Sequence, residues 1–249
     1  MNDNPTDEKI DTTYRALFLE NDYLEVCVLP DIGGRLFYAT DKTNGYEIFY
    51  RQHVIKSANV GMLGAWISGG VEWNVFHHRR ATSQYPIDYK LVDNGDGSKT
   101  IWVGEVEKRH RMSWAIGMTL YPDRSYIEVK GRFFNNSPDR NSMLHWNNVA
   151  THANENYQIV FPENTEFGTF HHKNSFMRWP VPDAPYCGNP DYIGKDVSYW
   201  RNLPALMGGS VFVYDLQDDF IGGYDYGKNA GTMLAGNRHI NKGGKFWTW

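Results

Sequence analysis

A chain of 249 residues carrying a net charge of −4 is long enough for one large β domain or two smaller ones, and so mild a charge argues against a nucleic-acid groove held by bulk electrostatics. Aromatic residues make up 15% of the chain, a bias that favours sheet and leaves rings over for a binding surface. No apolar run approaches the roughly 20 residues of a membrane-crossing helix, and the polar start MNDNPTDEKIDTT has none of the marks of a signal peptide.

Taken in order, the chain reads as strands and turns almost throughout. Tyr14 to Leu19 and Leu24 to Leu29 are β-rich runs split by the Glu20-Asn21-Asp22 turn, and Pro30-Asp31-Ile32-Gly33-Gly34 bends the chain before a third run, Arg35 to Ala39. Cys27 and Cys187 are too few and too far apart for a disulfide framework, so both are expected to be unpaired. Ile48 to Tyr50 is a short strand candidate, and the only weak helical candidate precedes Gly61. Pro86 to Val92 and Ile101 to Val106 flank Asn94-Gly95-Asp96-Gly97, a strong hairpin signal. Met112 to Tyr121 is another strand. In Tyr126 to Phe133, Ile127, Val129 and Phe133 alternate with Glu128, Lys130 and Arg132, which predicts one core face and one wet face.

Asn141 to Ala153 is the longest strand candidate, and both of its faces carry polar groups. A buried face would have to hydrogen-bond each of them, so one face is expected to line a groove. Beyond Phe161-Pro162 the chain turns loop-rich, and Trp179 to Asp196, with its prolines and no periodicity, is expected to be a long excursion bordering the site. Strands resume at Ser210 to Tyr214, Phe220 to Tyr224 and Gly231 to Leu234, and the chain stops in a strand-like Phe246 to Trp249.

The densest chemistry lies in Gly61 to Arg80, GMLGAWISGGVEWNVFHHRR. Glycines (Gly61, Gly64, Gly69, Gly70) permit positive φ and close backbone approach. Trp66 and Trp73 offer flat faces for the C–H side of a sugar ring, while Glu72, Asn74, His77, His78, Arg79 and Arg80 offer partners for its hydroxyls. That mixture predicts a polar, aromatic-lined pocket, to which Trp146 and Asn148 of the long strand add. Adjacent histidines on a strand point to opposite faces, so neither His77-His78 nor His171-His172 reads as a chelating pair. No zinc-protease, Walker or dinucleotide motif occurs, nor a serine nucleophile elbow, and no metal or cofactor is expected. Acid–base work on a hemiacetal or glycosidic oxygen suits the residues better: His152 and His77 as donors, with Glu72 the nearest carboxylate.

Four segments carry a family resemblance: DIGGR (Asp31 to Arg35), DKTNGYEIFYR (Asp41 to Arg51), the Gly61 to Arg80 stretch, and HWNNVATHANENYQIVFP (His145 to Pro162). With FIGGYDYGKNAGTM (Phe220 to Met233), they closely resemble the bacterial domain of unknown function 5107, a family similar to aldose 1-epimerases. The resemblance implies an all-β, galactose mutarotase-like supersandwich spanning the chain as a single domain, a sugar or glycan as partner, and a bacterial cytoplasmic or periplasmic home. Members often sit within longer proteins, some with helical repeats. By position in the fold, His152 looks like the general acid, His77 or His78 the sugar-binding histidine, and Arg35 or Arg79 the arginine that holds the sugar.

The glutamate that serves these epimerases as base has no match before Trp249. The sandwich is therefore expected to be C-terminally incomplete, to belong to a longer polypeptide, and either to self-associate through an open sheet edge or to survive with reduced stability. Two functional classes follow. One is an enzyme acting at an anomeric centre, hydrolase-like or epimerase-like; the other is a noncatalytic carbohydrate-binding module. Glu72, Glu105, Glu166 and Asp225 discriminate them, because an enzyme needs one of these carboxylates directed into the groove.

Overall fold

The computed structural model describes residues 7–59, 65–76, 79–171, 175–185, 189–203 and 209–248. Gly61, Gly64, His77, His78, His172, Cys187 and Trp249 lie outside the described residues. The fold is all-β, built of antiparallel sheets, and it divides into two compact units, residues 1–151 and 152–249. Among the described residues no helix is long and apolar enough to cross a membrane.

In the first unit the strands are β1 (Leu17–Glu20), β2 (Leu24–Leu29), β3 (Arg35–Asp41), β4 (Tyr46–Glu47), β5 (Ala58–Asn59), β6 (Ala65–Trp66), β7 (Val71–Val75), β8 (Asp88–Asp93), β9 (Lys99–Glu107), β10 (Met112–Leu120), β11 (Glu128–Asn135) and β12 (His145–Val149). One sheet runs β1-β2-β3-β7-β12, with β4 on β3; a second runs β11-β10-β9-β8, and β5 pairs with β6. The two large sheets share one core. Leu19, Val26, Val28, Leu36, Val71, Trp73 and Val75 come from the first; Ile101, Val103, Met112, Trp114, Ile116 and Met118 come from the second. Each large side chain so buried contributes about 1.5–3 kcal/mol relative to exposure. A smaller cluster of Cys27, Leu29, Ile32 and Ile67 lies apart from it. Cys27 is a free, buried thiol whose pKa burial pushes up to about 11, so it stays protonated and inert at neutral pH.

The second unit contains β13 (Tyr157–Val160), β14 (Phe167–Phe170), β15 (Phe176–Arg178), β16 (Gly209–Tyr214), β17 (Phe220–Asp225), β18 (Ala230–Ala235) and β19 (Gly243–Thr248). They form a three-stranded sheet, β13-β17-β18, and a four-stranded one, β15-β14-β16-β19. Phe161, Phe170, Met177, Trp179, Tyr192, Val197, Val211, Val213 and Leu216 make its core.

Several sequence expectations change. The short strand lies at Tyr46–Glu47 rather than at Ile48 to Tyr50; beyond it Ile48 donates to the Ala39 carbonyl at 2.8 Å and Tyr50 turns to the Ala150 carbonyl at 2.9 Å. No helix forms over residues 51–59; Ala58–Asn59 pairs as a strand instead. The long candidate Asn141 to Ala153 is a strand only over His145–Val149, the stretch in register with β7. β11 is an edge strand on which Val129 is 44% exposed, so only Ile127 and Phe133 of the expected apolar face reach the core. Among its described residues Trp179 to Asp196 has no strand, yet it packs inward. Trp179 and Tyr192 are buried in the second core, and Val197 donates to the Pro180 carbonyl at 2.9 Å.

Candidate functional site

The register of three strands gathers the polar residues of the glycine-rich stretch on one side of the first unit's larger sheet. Leu36 pairs with Val71 across β3 and β7, and both side chains enter the core. Alternation then sends Arg35, Glu72 and Asn74 to the opposite face. Across β7 and β12, Asn74 faces Trp146 and Glu72 faces Asn148, and residues directly opposite share a face. Arg35, Glu72, Asn74, Trp146 and Asn148 therefore stand together, the first three buried and the last two half-buried at the rim.

Glu72 is the hub of this face. Arg79 Nη1 donates to both of its oxygens, at 2.6 and 2.8 Å, and Arg35 Nη2 reaches Oε2 at 3.4 Å. Arg35 also donates to the Gly69 carbonyl. Burial lowers the pKa of the Arg35 guanidinium, and the Glu72 carboxylate opposes that shift. The Arg79 guanidinium carbon lies 5.1 Å from the Trp146 ring centroid, within reach of a cation–π contact. Asn74 is 0% exposed, and neither its amide oxygen nor its amide nitrogen has a hydrogen-bond partner; Arg35 Nε is likewise unpartnered.

The backbone that delivers Glu72 needs its glycines. Gly69 and Gly70 have φ of 91° and 64°, a region open to glycine at little cost. The Gly70 amide donates to Tyr50 O at 2.8 Å, while its carbonyl accepts from Ala150 at 2.9 Å, tying the entry of β7 to the end of β12. A Cβ on Gly70 would run into the Leu36 carbonyl.

Trp73 does not belong to this face. It is 2% exposed in the core between the sheets, and its indole Nε1 donates to Gly34 O at 3.1 Å. The expectation that it stacks on a sugar is corrected: alternation sends it to the side away from Glu72. Arg79 and Arg80 separate in the same way. Arg80 donates from Nε to Trp73 O (2.7 Å), from Nη2 to Gly33 O (2.8 Å) and from Nη1 to Thr82 and Glu105, and it lies 4.3 Å over the Trp114 ring. Burial brings its pKa down to about 10, leaving it charged. Arg80 is a clamp of the sandwich. Adjacent arginines on an extended chain have to diverge, a signal the sequence contained.

The remaining candidates scatter. Trp66 is half-buried on the β5–β6 pair, where its carbonyl accepts from Gln84 at 3.3 Å. His77 and His78 lie outside the described residues. His152 is half-buried and opens the second unit, whereas Glu72 belongs to the first. His145, not singled out in the sequence, contacts the Asn74 carbonyl through Nδ1 at 3.0 Å and tilts against Phe133; burial depresses its pKa.

The other carboxylates are engaged or remote. Glu105 accepts from Arg80, Thr82 and Trp114. Asp225, 2% exposed, accepts from Asn154 Nδ2 at 2.7 Å and from the Gly227 and Lys228 amides at 2.9 and 3.1 Å. Glu166 is exposed in the second unit.

Comparison with known proteins places this geometry. The model of a domain of unknown function, DUF5107, matches residues 2–249. The crystal structure of a TPR-domain containing protein from Parabacteroides distasonis superposes with a TM-score of 0.81 at 19% identity, over 98% of this chain and 40% of that one. This chain thus spans two fifths of the Parabacteroides protein. Slr1438 from Synechocystis sp. superposes with a TM-score of 0.59 at 11% identity, over 97% of this chain and 84% of that one. At such identities the likeness is one of fold.

Proposed function

The chain belongs to the DUF5107 family, and from that premise we propose that it is a carbohydrate-binding domain, related in kind to the aldose 1-epimerases, whose saccharide lies on the polar face of β3, β7 and β12. The observation that carries this reading is the convergence of Arg35, Glu72, Asn74 and Arg79 on one sheet face, with Trp146 and Asn148 at its rim. Guanidinium and amide groups on rigid strands supply oriented donors for ring hydroxyls. An indole beside them supplies a flat apolar surface for C–H groups.

Binding is favoured over turnover because Glu72, Glu105 and Asp225, three of the four candidate carboxylates, are already occupied. Glu72 accepts from two arginines, and Glu105 and Asp225 are each held by several donors. A carboxylate so engaged orients its neighbours better than it accepts a substrate proton. The likeness to a TPR-domain containing protein, of which this chain spans 40%, is what one saccharide-binding module of a longer protein would show.

A glycan array followed by calorimetric titration tests the reading. Binding without release of reducing ends is expected. Trp146→Ala or Asn148→Ala should weaken it about tenfold, the worth of a stacking contact or a hydrogen bond of 1.4 kcal/mol, with little change in Tm. Release of reducing ends, lost in His152→Asn, would instead assign acid–base chemistry to the domain. No binding across neutral and acidic glycans would overturn the proposal.

A further inference from the structure

In the second unit, two connections run side by side. Residues 215–219 lead from β16 to β17 and residues 236–242 from β18 to β19, and they meet at one end because Phe220 pairs with Ala235 and Tyr214 with Gly243. Asp219 ties them together: its carbonyl accepts from the Gly236 amide at 2.8 Å and its carboxylate from the Arg238 amide at 2.9 Å. Asn237 closes the second connection on itself, its carbonyl accepting from Ile240 at 3.0 Å and from Asn241 at 2.8 Å, and its side chain from the His239 amide at 2.8 Å. A cavity of about 290 Å³ lies here, lined by Asp215, Leu216, Gln217, Arg238, His239 and Lys242. That volume is at the small end of ligand pockets, room for one small molecule rather than a chain.

Arg238, His239 and Lys242 line the cavity without a protein partner: among the described residues no ion pair, hydrogen bond or ring contact reaches any of the three side chains. The other connection brings a different chemistry. Asp215 supplies a carboxylate, Leu216 is anchored in the second core, and Gln217 turns its amide nitrogen to the Asp215 carbonyl at 3.0 Å, which leaves its amide oxygen to accept from outside. Asp218 is exposed and does not line the cavity, and the Asp219 carboxylate is engaged by the Arg238 amide. A phosphoryl group presents three strong acceptor oxygens and nearly two negative charges, so a guanidinium, an imidazole and an ammonium on separate side chains can each meet one oxygen. A planar carboxylate, with two oxygens, would be served by the arginine fork alone. Opposite the cations, the Asp215 carboxylate and the Gln217 amide oxygen are acceptors suited to hydroxyls.

We infer that this cavity is a binding site for a phosphate monoester carried on a polyol, a sugar phosphate whose phosphoryl oxygens are received by Arg238, His239 and Lys242 and whose hydroxyls meet Asp215 and Gln217. The site lies wholly in the second unit, and it stands or falls apart from the saccharide face on β3, β7 and β12.

Calorimetric titration of the purified chain in phosphate-free buffer with glucose 6-phosphate, beside glucose, inorganic phosphate and sodium glucuronate, provides the test. Glucose 6-phosphate is expected to bind at least about tenfold more tightly than glucose, as one charge-assisted hydrogen bond implies, and more tightly than inorganic phosphate, which brings no hydroxyls of a sugar. Raising NaCl from about 0.05 to about 0.5 M should weaken it, because exposed charges are screened. Arg238→Gln and Lys242→Gln should each weaken it about tenfold and leave Tm unchanged, since neither side chain holds another part of the fold. Lys228→Gln, which removes an exposed cation at the opposite end of the β17–β18 hairpin, should leave affinity unchanged, and so should Trp146→Ala.

Equal affinity for glucose and glucose 6-phosphate, or no binding of either, would overturn the site. Glucuronate binding as tightly as the phosphate would overturn the phosphoryl class, and inorganic phosphate binding as tightly as the sugar phosphate would overturn the polyol. Unaltered affinity in both Arg238→Gln and Lys242→Gln would remove the ligand from this cavity. An equal loss in Lys228→Gln would reduce the effect to general charge, and a loss in Trp146→Ala would move the phosphate to the face of the first unit.

Discussion

Replacing Glu72 by Gln removes the carboxylate that two buried guanidiniums share. Breaking a buried ion pair from one side costs about 3–5 kcal/mol, so Glu72→Gln is expected to lose stability on that scale in urea unfolding; a loss under about 1 kcal/mol would show that the arginines find other partners. Trp73 gives the opposite contrast. Trp73→Ala should cost about 3–5 kcal/mol, as core truncations of large aromatics do, whereas the milder Trp73→Phe should leave saccharide affinity unchanged. His145 adds a pH dependence. Burial holds its pKa below the ordinary 6.5, so the unfolded chain binds the proton more readily than the folded one. The contribution is present in full above pH 6.5 and is lost as the pH falls from there toward the depressed folded value. Thermal melts from pH 7.5 to 5 should show a decline that His145→Gln reduces; an identical decline in the variant would place its origin elsewhere.

At the scale of elements, the face depends on how β7 is entered. Gly70 combines a φ of 64° with a Cβ direction that meets the Leu36 carbonyl. Gly70→Ala is therefore expected to destabilise by about 1–3 kcal/mol and to weaken saccharide binding with it, since Glu72 follows two residues later. A fully stable Gly70→Ala protein, measured by the same melts, would show that the entry can relax. The glycine pair, the β2 and β10 strands and the Asn94 to Gly97 hairpin were legible in the sequence because each depends on local preference or alternation. Trp73 was not, because a ring among glycines and polar groups reads alike on either side of a strand until the partner strand fixes the inward face. β13, β14 and β15 were missed for a related reason. They are only three or four residues long, too short for a period to show.

Across the whole molecule, each unit has a core of its own, around Trp73 and Trp114 in the first and around Met177 and Val211 in the second. Native-state hydrogen exchange is expected to sort protected amides into two groups that follow this division; one uniform opening energy for all core strands would show the two to be a single cooperative unit. The cation over Trp146 has a consequence of another kind. An indole's emission responds to charge held against its face, and Arg79 sits 5.1 Å from that ring while also gripping Glu72. A ligand that draws on Arg79 redistributes this charge. On the proposed reading Trp146 is an optical probe of occupancy, and Trp146→Phe should silence the ligand-dependent part of the fluorescence while the emission of the core tryptophans persists.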